Sequence, residues 1–342
     1  MTVNRRTILS GFATALAVPY VARAAGEAER AGRMVAPPAK VERVFAAGPP
    51  AVILLYTFAP ELLLGWTRRP APAECAFLGA GACDKPEVGR LTGRGNTTNL
   101  EVLLNLKPDL ILDVGTINDT YISLANRIQT QTGIPYALLD GRFTAIASTY
   151  RKLGELTHRT DTGETFAHYA EKTIATVTGR IDKIPKDQRP RVYYARGPRG
   201  LETGLGGSIN VETIEFLGAR NVAGERKGGM ATVSPEQVLA WNPDVIITIE
   251  PAVAAALRSD ALWAPIEAVK TGRIYLSPKL PFGWVDFPPS VNRLIGLWWL
   301  AKALYPEQFS EDLRPLTREF YKQFYHIDLT DAQLDRVLSA QS

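Results

Sequence analysis

Aromatic and polar side chains collect in loops that follow the apolar runs of this chain, which is where α/β proteins bind ligands. The segment YYARGPRGLETGLGGSIN runs from a strand into a glycine-rich turn, and PFGWVDFPPS (281–290) is an irregular loop before a helix. Arginine binds carboxylates and phosphates through two hydrogen bonds, and aromatic rings stack on planar ligands. The mixture predicts a site for an anionic, partly aromatic ligand. The candidate ligand-binding residues are Tyr56, Trp66, Arg94, Thr116, Tyr121, Arg196, Arg199, Glu202, Thr203, Trp284 and Asp286.

A second interpretation of the same residues stays open. In it, Trp284 and Tyr121 fill the core and the arginines form surface pairs. The sequence contains no G-x-S-x-G, H-E-x-x-H or G-x-x-x-x-G-K-[ST] motif, and GRGNTT (93–98) lacks the third glycine of a dinucleotide-binding turn. Because these motifs are missing, we expect no enzyme and no cofactor. An enzyme would need a general base, for which Asp286 and Glu202 are the obvious candidates.

Metal-binding residues are scarce. The three histidines are far apart in sequence, so a histidine-rich site for a bare divalent metal is not expected. The two cysteines, Cys75 and Cys83, flank a glycine-rich loop. In an oxidising compartment they favour a disulfide over a metal site, and two independent small side chains are the alternative. Whether any residue coordinates a metal directly stays open.

The N-terminus has the pattern of an export signal. Arg5 and Arg6 precede an apolar stretch from Ile8 to Val21, and Ala22-Arg23-Ala24 resembles a cleavage site. The paired arginines indicate the twin-arginine route, so residues 1–24 are predicted to be removed and the rest to be a soluble periplasmic protein. No cysteine follows the apolar stretch, which argues against a lipid anchor.

Composition describes a globular protein. The chain has 342 residues, of which 46% are hydrophobic and 22% charged, enough for roughly two domains. Its formal net charge is +4, and three of the positive charges lie in the predicted leader. The nearly neutral remainder argues against a nucleic-acid partner, which would need a clustered basic face.

One helix–turn–strand unit occurs twice. NLEVLLNLKPDLILDVG (99–115) and SPEQVLAWNPDVIITIE (234–250) align at a constant offset of 135 residues. Each begins with a helix-capping residue and has a Pro-Asp turn before an apolar strand. We therefore predict an α/β protein with two Rossmann-like lobes and a ligand cleft between them.

The region between the two units is helical. Residues 143–157 are predicted as one helix, residues 160–164 as a break with capping residues, and residues 162–182 as a long helix with one apolar face. We assign residues 40–142 to an N-terminal lobe, 143–185 to the connecting helices, and 186–342 to a C-terminal lobe with C-terminal helices. A single connecting helix permits only small movements of the lobes. Residues 62–66 are predicted as a second strand of the first lobe.

The export signal, RVFAAGPPAVILLYTFAPELLLGW, the repeated N-L-E…K-P-D-L-I unit and the long helix together resemble one known family. They are similar to the helical-backbone (class III) periplasmic substrate-binding proteins of ABC importers, over residues 40–305. The resemblance implies a monomer that captures its cargo between the lobes and delivers it to a permease driven by an ATPase. It also implies that Glu101 and Glu236 dock on arginines of the permease, although a carboxylate in a first helical turn is already favoured by the helix dipole.

The resemblance specifies the transporter class better than the cargo. An iron(III) chelate of the siderophore type is the expected ligand by analogy within the family. In that hypothesis Tyr56, Tyr121 and Trp284 cover its planar parts, the arginines neutralise its donor groups, and Glu202 orients an arginine. Haem held by a tyrosine, cobalamin, molybdate or a metal ion are the alternatives, as are a periplasmic α/β enzyme acting on such a complex and a scavenger or sensor that does not transport.

Overall fold

The structure is a computed structural model in which residues 32–93, 95 and 97–339 are described. The predicted signal peptide and Arg94 lie outside these described residues. In the described part of the chain, no helix is long and apolar enough to cross a membrane.

The first sheet belongs to the N-terminal lobe and is parallel throughout. Its strands are β1 Val44–Ala46, β2 Leu110–Gly115 and β3 Tyr136–Asp140, in the order β1-β2-β3. Nearly every residue of these strands is buried, as expected for a parallel sheet covered on both faces. The predicted strand at 62–66 is wrong, because Leu63 and Trp66 form only isolated bridges, to Val44 and Glu87. The turn that precedes Leu62 and the glycine at position 65 leave too short an extended run.

The second sheet belongs to the C-terminal lobe and is also parallel. Its order is β6-β4-β8-β9, and an antiparallel pair, β5 and β7, lies beside it. The strands are β4 Arg191–Ala195, β5 Glu202–Gly204, β6 Arg220–Asn221, β7 Met230–Thr232, β8 Val245–Thr248 and β9 Ile274–Leu276.

Thirteen α-helices lie within the described residues. They are α1 Pro49–Phe58, α2 Pro72–Cys75, α3 Leu100–Leu106, α4 Asp119–Thr132, α5 Ile146–Leu156, α6 Thr160–Ile181, α7 Glu212–Phe216, α8 Pro235–Trp241, α9 Pro251–Ser259, α10 Glu267–Lys270, α11 Arg293–Leu304, α12 Leu313–Tyr325 and α13 Asp331–Leu338. Short 3-10 turns occupy Ala82–Asp84, Phe143–Ala145 and Lys186–Gln188.

The two repeated units have the same local structure. The side chains of Asn99 and Ser234 cap α3 and α8 by accepting hydrogen bonds from backbone N–H groups three residues later, at 2.9 and 3.2 Å. Each helix is followed by a residue in the left-handed conformation and then by a strand of the central sheet. The aspartates of the two Pro-Asp turns, Asp109 and Asp244, accept hydrogen bonds from the backbone N–H groups of Arg43 and Arg191. Each aspartate therefore ties its unit to the start of the neighbouring strand.

The connecting helices pack closely against each other. Glycines allow this, because a Cβ atom on Gly163 would lie 3.2 Å from the Cα of Gly154. The break between α5 and α6 falls at residues 157–159, where His158 has a positive φ of 58°. It therefore precedes the predicted break, and residues 160–164 already form the first turn of α6. With 22 residues, α6 is about 33 Å long at the usual rise per residue.

The C-terminal helices complete the core of the N-terminal lobe. Helix α12 packs on α1, and the Tyr56 hydroxyl donates a hydrogen bond to the Tyr325 carbonyl at 2.9 Å. One continuous apolar cluster includes α1, α6, α11 and α12. The C-terminal helices therefore contact the first lobe, and the assignment of residues 186–342 to the second lobe stays a prediction. Cys75 and Cys83 form a disulfide in the N-terminal lobe.

Candidate functional site

The strand topology places two sets of loops at the edges where ligands bind. In the N-terminal lobe, Gly48, Thr116 and Gly141 follow the carboxyl ends of parallel strands. In the C-terminal lobe, Arg196 and Ser277 follow β4 and β9. Because parallel strands end at one edge of their sheet, each set is a candidate wall of a binding cleft.

The segment 286–293 joins the two edges. The Ser290 hydroxyl donates a hydrogen bond to the Pro50 carbonyl at 2.9 Å, and Arg293 donates to the Gly141 carbonyl at 2.8 Å. Arg293 is fully buried and also forms an ion pair with Glu212 at 3.0 Å. The Glu212 carboxylate in turn accepts a hydrogen bond from the Phe143 backbone N–H. These contacts place residues of both lobes around the buried Arg293 and its partly exposed partner, Glu212.

Asp286 is the buried centre of a hydrogen-bond network in the C-terminal lobe. Its Oδ2 accepts a hydrogen bond from the Tyr194 hydroxyl at 2.9 Å and pairs with the Arg196 guanidinium at 3.0 Å. The Asn210 amide lies 2.9 Å from both carboxylate oxygens, and the Phe287 backbone N–H donates to Oδ1 at 2.6 Å. Burial, and after it the Asp286 charge, raises the pKa of Tyr194 well above its usual value, so this hydroxyl remains a neutral donor. With its oxygens engaged in this way, Asp286 holds other residues in place and is not an available base.

Asp286 positions Arg196, which is the charged group of the site. Its side chain is 18% exposed, so the guanidinium is partly accessible while one edge is held by the carboxylate. Glu202, which was predicted to orient an arginine, does not form the ion pair that Asp286 forms with Arg196. It pairs with Arg196 through two backbone hydrogen bonds, of 2.8 and 2.9 Å. The structure thus assigns the orientation of Arg196 to Asp286.

Two further residues lie beside Arg196, and neither is among the predicted site residues. The ring of Phe287 is 50% exposed and lies 5.4 Å from the Arg196 guanidinium carbon. The Lys279 ammonium lies 5.0 Å from the same ring centroid. Lys279 follows β9, and Phe287 precedes two prolines. Only the placement of these loops at one sheet edge could have revealed the cluster.

Three aromatic residues predicted to contact the ligand lie in the core. Tyr56, Trp66 and Trp284 are at most 2% exposed. The hydroxyl of Tyr56 and the indole N–H of Trp66 donate to the backbone carbonyls of Tyr325 and Ala82. Burial raises the pKa of Tyr56 to about 12. The apolar surface of these three rings is used in packing, which argues against direct contact with a ligand. Their predicted role at the site stays a prediction.

The other predicted residues differ in how far they are buried. Thr116 and Arg199 are exposed, Tyr121 and Glu202 are partly buried, and Thr203 is fully buried. The Thr203 hydroxyl has no hydrogen-bond partner among the described residues. Thr116 and Tyr121 belong to the N-terminal lobe. The remaining three follow Arg196 within seven positions in sequence, and Glu202 pairs with its backbone. Arg94 is not among the described residues.

Metal-ligating side chains do not cluster in residues 32–93, 95 and 97–339. No group of three or more His, Cys, Asp or Glu residues in this range is arranged to hold a metal ion. The rings of His158 and His326 instead contact the backbone carbonyls of Pro38 and Tyr56.

Glu101 and Glu236 occupy equivalent exposed positions in the first turns of α3 and α8. The pKa of Glu236 is lowered by hydrogen bonds from its own backbone N–H and from the Ser234 hydroxyl. The surroundings of the two carboxylates differ. Val102 and Leu104, beside Glu101, are 41% and 47% exposed, whereas the position matching Val102 is Gln237.

Comparison with known proteins connects this arrangement to solute binding. A family profile described as "Periplasmic binding protein" matches residues 84–280. The molybdate-binding protein MolA of Haemophilus influenzae is 29% identical over 266 residues, which are 70% of this chain and 74% of that protein. A cobalamin-binding protein of Halobacterium salinarum is 27% identical over 187 residues, 54% of this chain and 49% of that protein.

A solved structure agrees with the fold over almost the whole chain. The ABC transporter solute-binding protein from Sulfurospirillum deleyianum superposes with a TM-score of 0.81 at 26% identity. The match covers 90% of this chain and 96% of that one.

Proposed function

This chain belongs to the periplasmic binding protein family, and from that premise we propose that its ligand is a small metal oxyanion of the molybdate class. The protein is the periplasmic binding component of an ABC importer, and such components work with a permease and an ATPase. Its relatives bind solutes, which argues against catalysis.

The observation that carries the choice of an anion is the pair of cations on one exposed ring. Arg196 is held by Asp286 with part of its guanidinium accessible, and Lys279 is exposed within 5.0 Å of the same ring centroid. Arginine and lysine together favour a compact, multiply charged ligand, which arginine can bind through two hydrogen bonds. Sequence similarity to a molybdate-binding protein over 70% of the chain supports the same class.

An iron(III) chelate of the siderophore type is the second candidate. The exposed ring of Phe287 and the partly buried Tyr121 favour it, because both rings could contact a planar donor group. Two of the three aromatic residues expected to cover such a chelate, Tyr56 and Trp284, are in the core, which reduces the support for it. A ferric chelate therefore ranks below an oxyanion.

A thermal-shift and calorimetric comparison tests the proposal. The purified protein is titrated with sodium molybdate, sodium sulfate, ferric citrate, a ferric tris-catecholate, haemin and cyanocobalamin. We expect molybdate to raise the melting temperature in proportion to the logarithm of its concentration above Kd. Sulfate is the matched control for a tetrahedral dianion. Binding of a chelate, haemin or cobalamin with no response to molybdate would overturn the oxyanion assignment.

We also propose that Glu101 and Glu236 dock on basic residues of the permease. Their equivalent exposed positions in two repeated units support this role, since the permease would then contact both lobes of the protein. The exposed Val102 and Leu104 add an apolar contact on the N-terminal lobe. The double variant Glu101→Arg/Glu236→Arg should bind ligand normally and lose uptake, whereas Glu155→Arg on α5 is the control. Unchanged uptake by the double variant would contradict docking.

Export by the twin-arginine route is a further proposal, based on Arg5 and Arg6. Replacing both with lysine should leave the precursor in the cytoplasm, as measured by fractionation. Normal export of that variant would indicate a different route.

A further inference from the structure

Phe287 has an unusual backbone conformation for a large side chain. Its φ is +71°, in the left-handed region that β-carbon sterics disfavour for residues other than glycine. The conformation is held by the Phe287 backbone N–H, which donates to the buried Asp286 carboxylate. Despite this constraint the ring is half exposed, so apolar packing does not explain its position. Strained residues of this kind concentrate at functional sites.

The ring lies beside two positive charges. The guanidinium carbon of Arg196 and the ammonium of Lys279 lie 5.4 and 5.0 Å from its centroid. Both distances fall within the range in which the negative face of an aromatic ring attracts a cation. Among the described residues, Lys279 forms no ion pair with a carboxylate. Its contact with the Phe287 ring is the interaction that the structure gives for this ammonium.

The segment that carries Phe287 connects the two lobes. On one side of it, Asp286 is fixed to Tyr194 and Asn210 of the C-terminal lobe. On the other side, the Ser290 hydroxyl contacts the Pro50 carbonyl at the start of α1 in the N-terminal lobe. Movement of the ring would thus occur at the junction of the lobes, where a bound ligand would also lie.

We infer that the Phe287 ring stands in the position of the anion before the ligand binds, and that a bound oxyanion replaces the ring between Arg196 and Lys279. This inference rests on the proposed function. A full negative charge attracts both cations more strongly than the ring does, and departure of the ring allows the backbone to leave its strained conformation. Lys279 and Phe287 therefore determine affinity in opposite directions. Lys279 adds attraction, and Phe287 competes with the ligand.

The test is titration of molybdate into the unmodified protein and four variants at low ionic strength. Lys279→Gln should bind molybdate roughly tenfold more weakly, the effect of losing one favourable charge contact. Lys270→Gln, which removes another exposed lysine, from α10, should bind normally. Phe287→Gly removes the ring and suits a positive φ, so it should bind several-fold more tightly. Phe287→Tyr keeps an aromatic ring at this position, so it should bind molybdate more weakly than Phe287→Gly does.

The outcomes separate this inference from the proposed function. If the unmodified protein does not bind molybdate, the proposed function fails and the inference fails with it. If it binds but Phe287→Gly binds equally or more weakly, the ring does not compete with the anion and only the inference is overturned. Equal binding by Lys279→Gln overturns the role of the lysine. A melting temperature for each variant confirms that the compared proteins are folded.

Discussion

At the scale of single residues, the chemistry of the cleft depends on the hydrogen bonds and the ion pair that stabilise the buried carboxylate of Asp286. Asp286 has no exposure to solvent and is stabilised by Tyr194, Asn210, Arg196 and a backbone N–H. Burial of a charge is costly unless such partners surround it. The partners therefore define one rotamer of Asp286 and, through it, one position for the Arg196 guanidinium.

Replacing Asp286 with asparagine should destabilise the fold and weaken ligand binding together. The amide cannot accept all the hydrogen bonds that the carboxylate accepts, and Arg196 loses its ionic partner. We expect a loss of about 2–4 kcal/mol in the free energy of unfolding, measured by urea denaturation. Asp328→Asn, which removes an exposed carboxylate paired with Lys322, is the control and should cost less than about 1 kcal/mol. Equal stability of the two variants would show that the network does not hold Asp286.

Asp113 should make stability depend on pH. Burial raises the pKa of this carboxyl, although Thr92, Tyr136 and a backbone N–H donate to it. A raised pKa in the folded state means that the protonated form is favoured there. Its stabilising contribution is therefore complete below the ordinary carboxyl pKa of about 4 and is lost as the pH rises through the raised value.

The Asp113→Asn variant isolates this effect. Because asparagine does not titrate, the difference in unfolding free energy between the variant and the unmodified protein should shift in favour of the variant between pH 4 and pH 7. Chemical denaturation at several pH values measures it. A constant difference across that range would contradict a raised pKa.

At the scale of elements, the sequence predicted the helices and strands that capping residues and local apolar patterns determine. The capping residues Asn99 and Ser234 and the apolar runs after the Pro-Asp turns define both repeated units, and the structure forms them at the expected places. The strand expected at 62–66 depended on pairing with distant residues, and those residues pair only at isolated bridges. Local patterns could not decide that pairing.

The disulfide should stabilise the loop between α2 and the following 3-10 turn. Cys75 and Cys83 are separated by eight positions, and closing so short a loop in the unfolded chain contributes about 2–3 kcal/mol. The Cys75→Ser/Cys83→Ser variant should lose that amount in urea denaturation. Adding a reductant should lower the stability of the unmodified protein and leave the variant unchanged. A reductant effect on both would point to another cause.

At the scale of the whole molecule, the site is composed of residues far apart in sequence. Arg196 comes from the loop after β4, whereas Lys279 and Phe287 come from the loop between β9 and α11. The segment 286–293 brings these loops to the N-terminal lobe. The sequence identified Arg196 and Asp286 by residue type. It could not identify Lys279 or Phe287, nor exclude the buried Tyr56, Trp66 and Trp284, because burial follows from tertiary packing.

The ion pair of Arg293 and Glu212 should couple the lobes. Arg293→Met removes a buried charge that contacts Gly141 of the N-terminal lobe, and it leaves Glu212 unpaired. We expect a loss of about 3–5 kcal/mol from this single variant. Adding Glu212→Gln should recover part of it, with a coupling energy of about 1–3 kcal/mol in a double-mutant cycle. Additive effects of the two substitutions would show that they act independently.

The same contacts predict that ligand binding closes the protein only slightly. The 22-residue helix α6 is continuous, and Arg293 and Ser290 already link the lobes, so a wide hinge motion would have to break buried hydrogen bonds. We therefore expect molybdate to change the radius of gyration, measured by small-angle X-ray scattering, by no more than about 1 Å, as in other preorganised complexes. The Arg293→Met/Glu212→Gln variant serves as the comparison, because loss of the link should enlarge the change. A decrease of several ångströms in the unmodified protein would mean that the lobes move freely about α6 and that the link opens before the ligand enters.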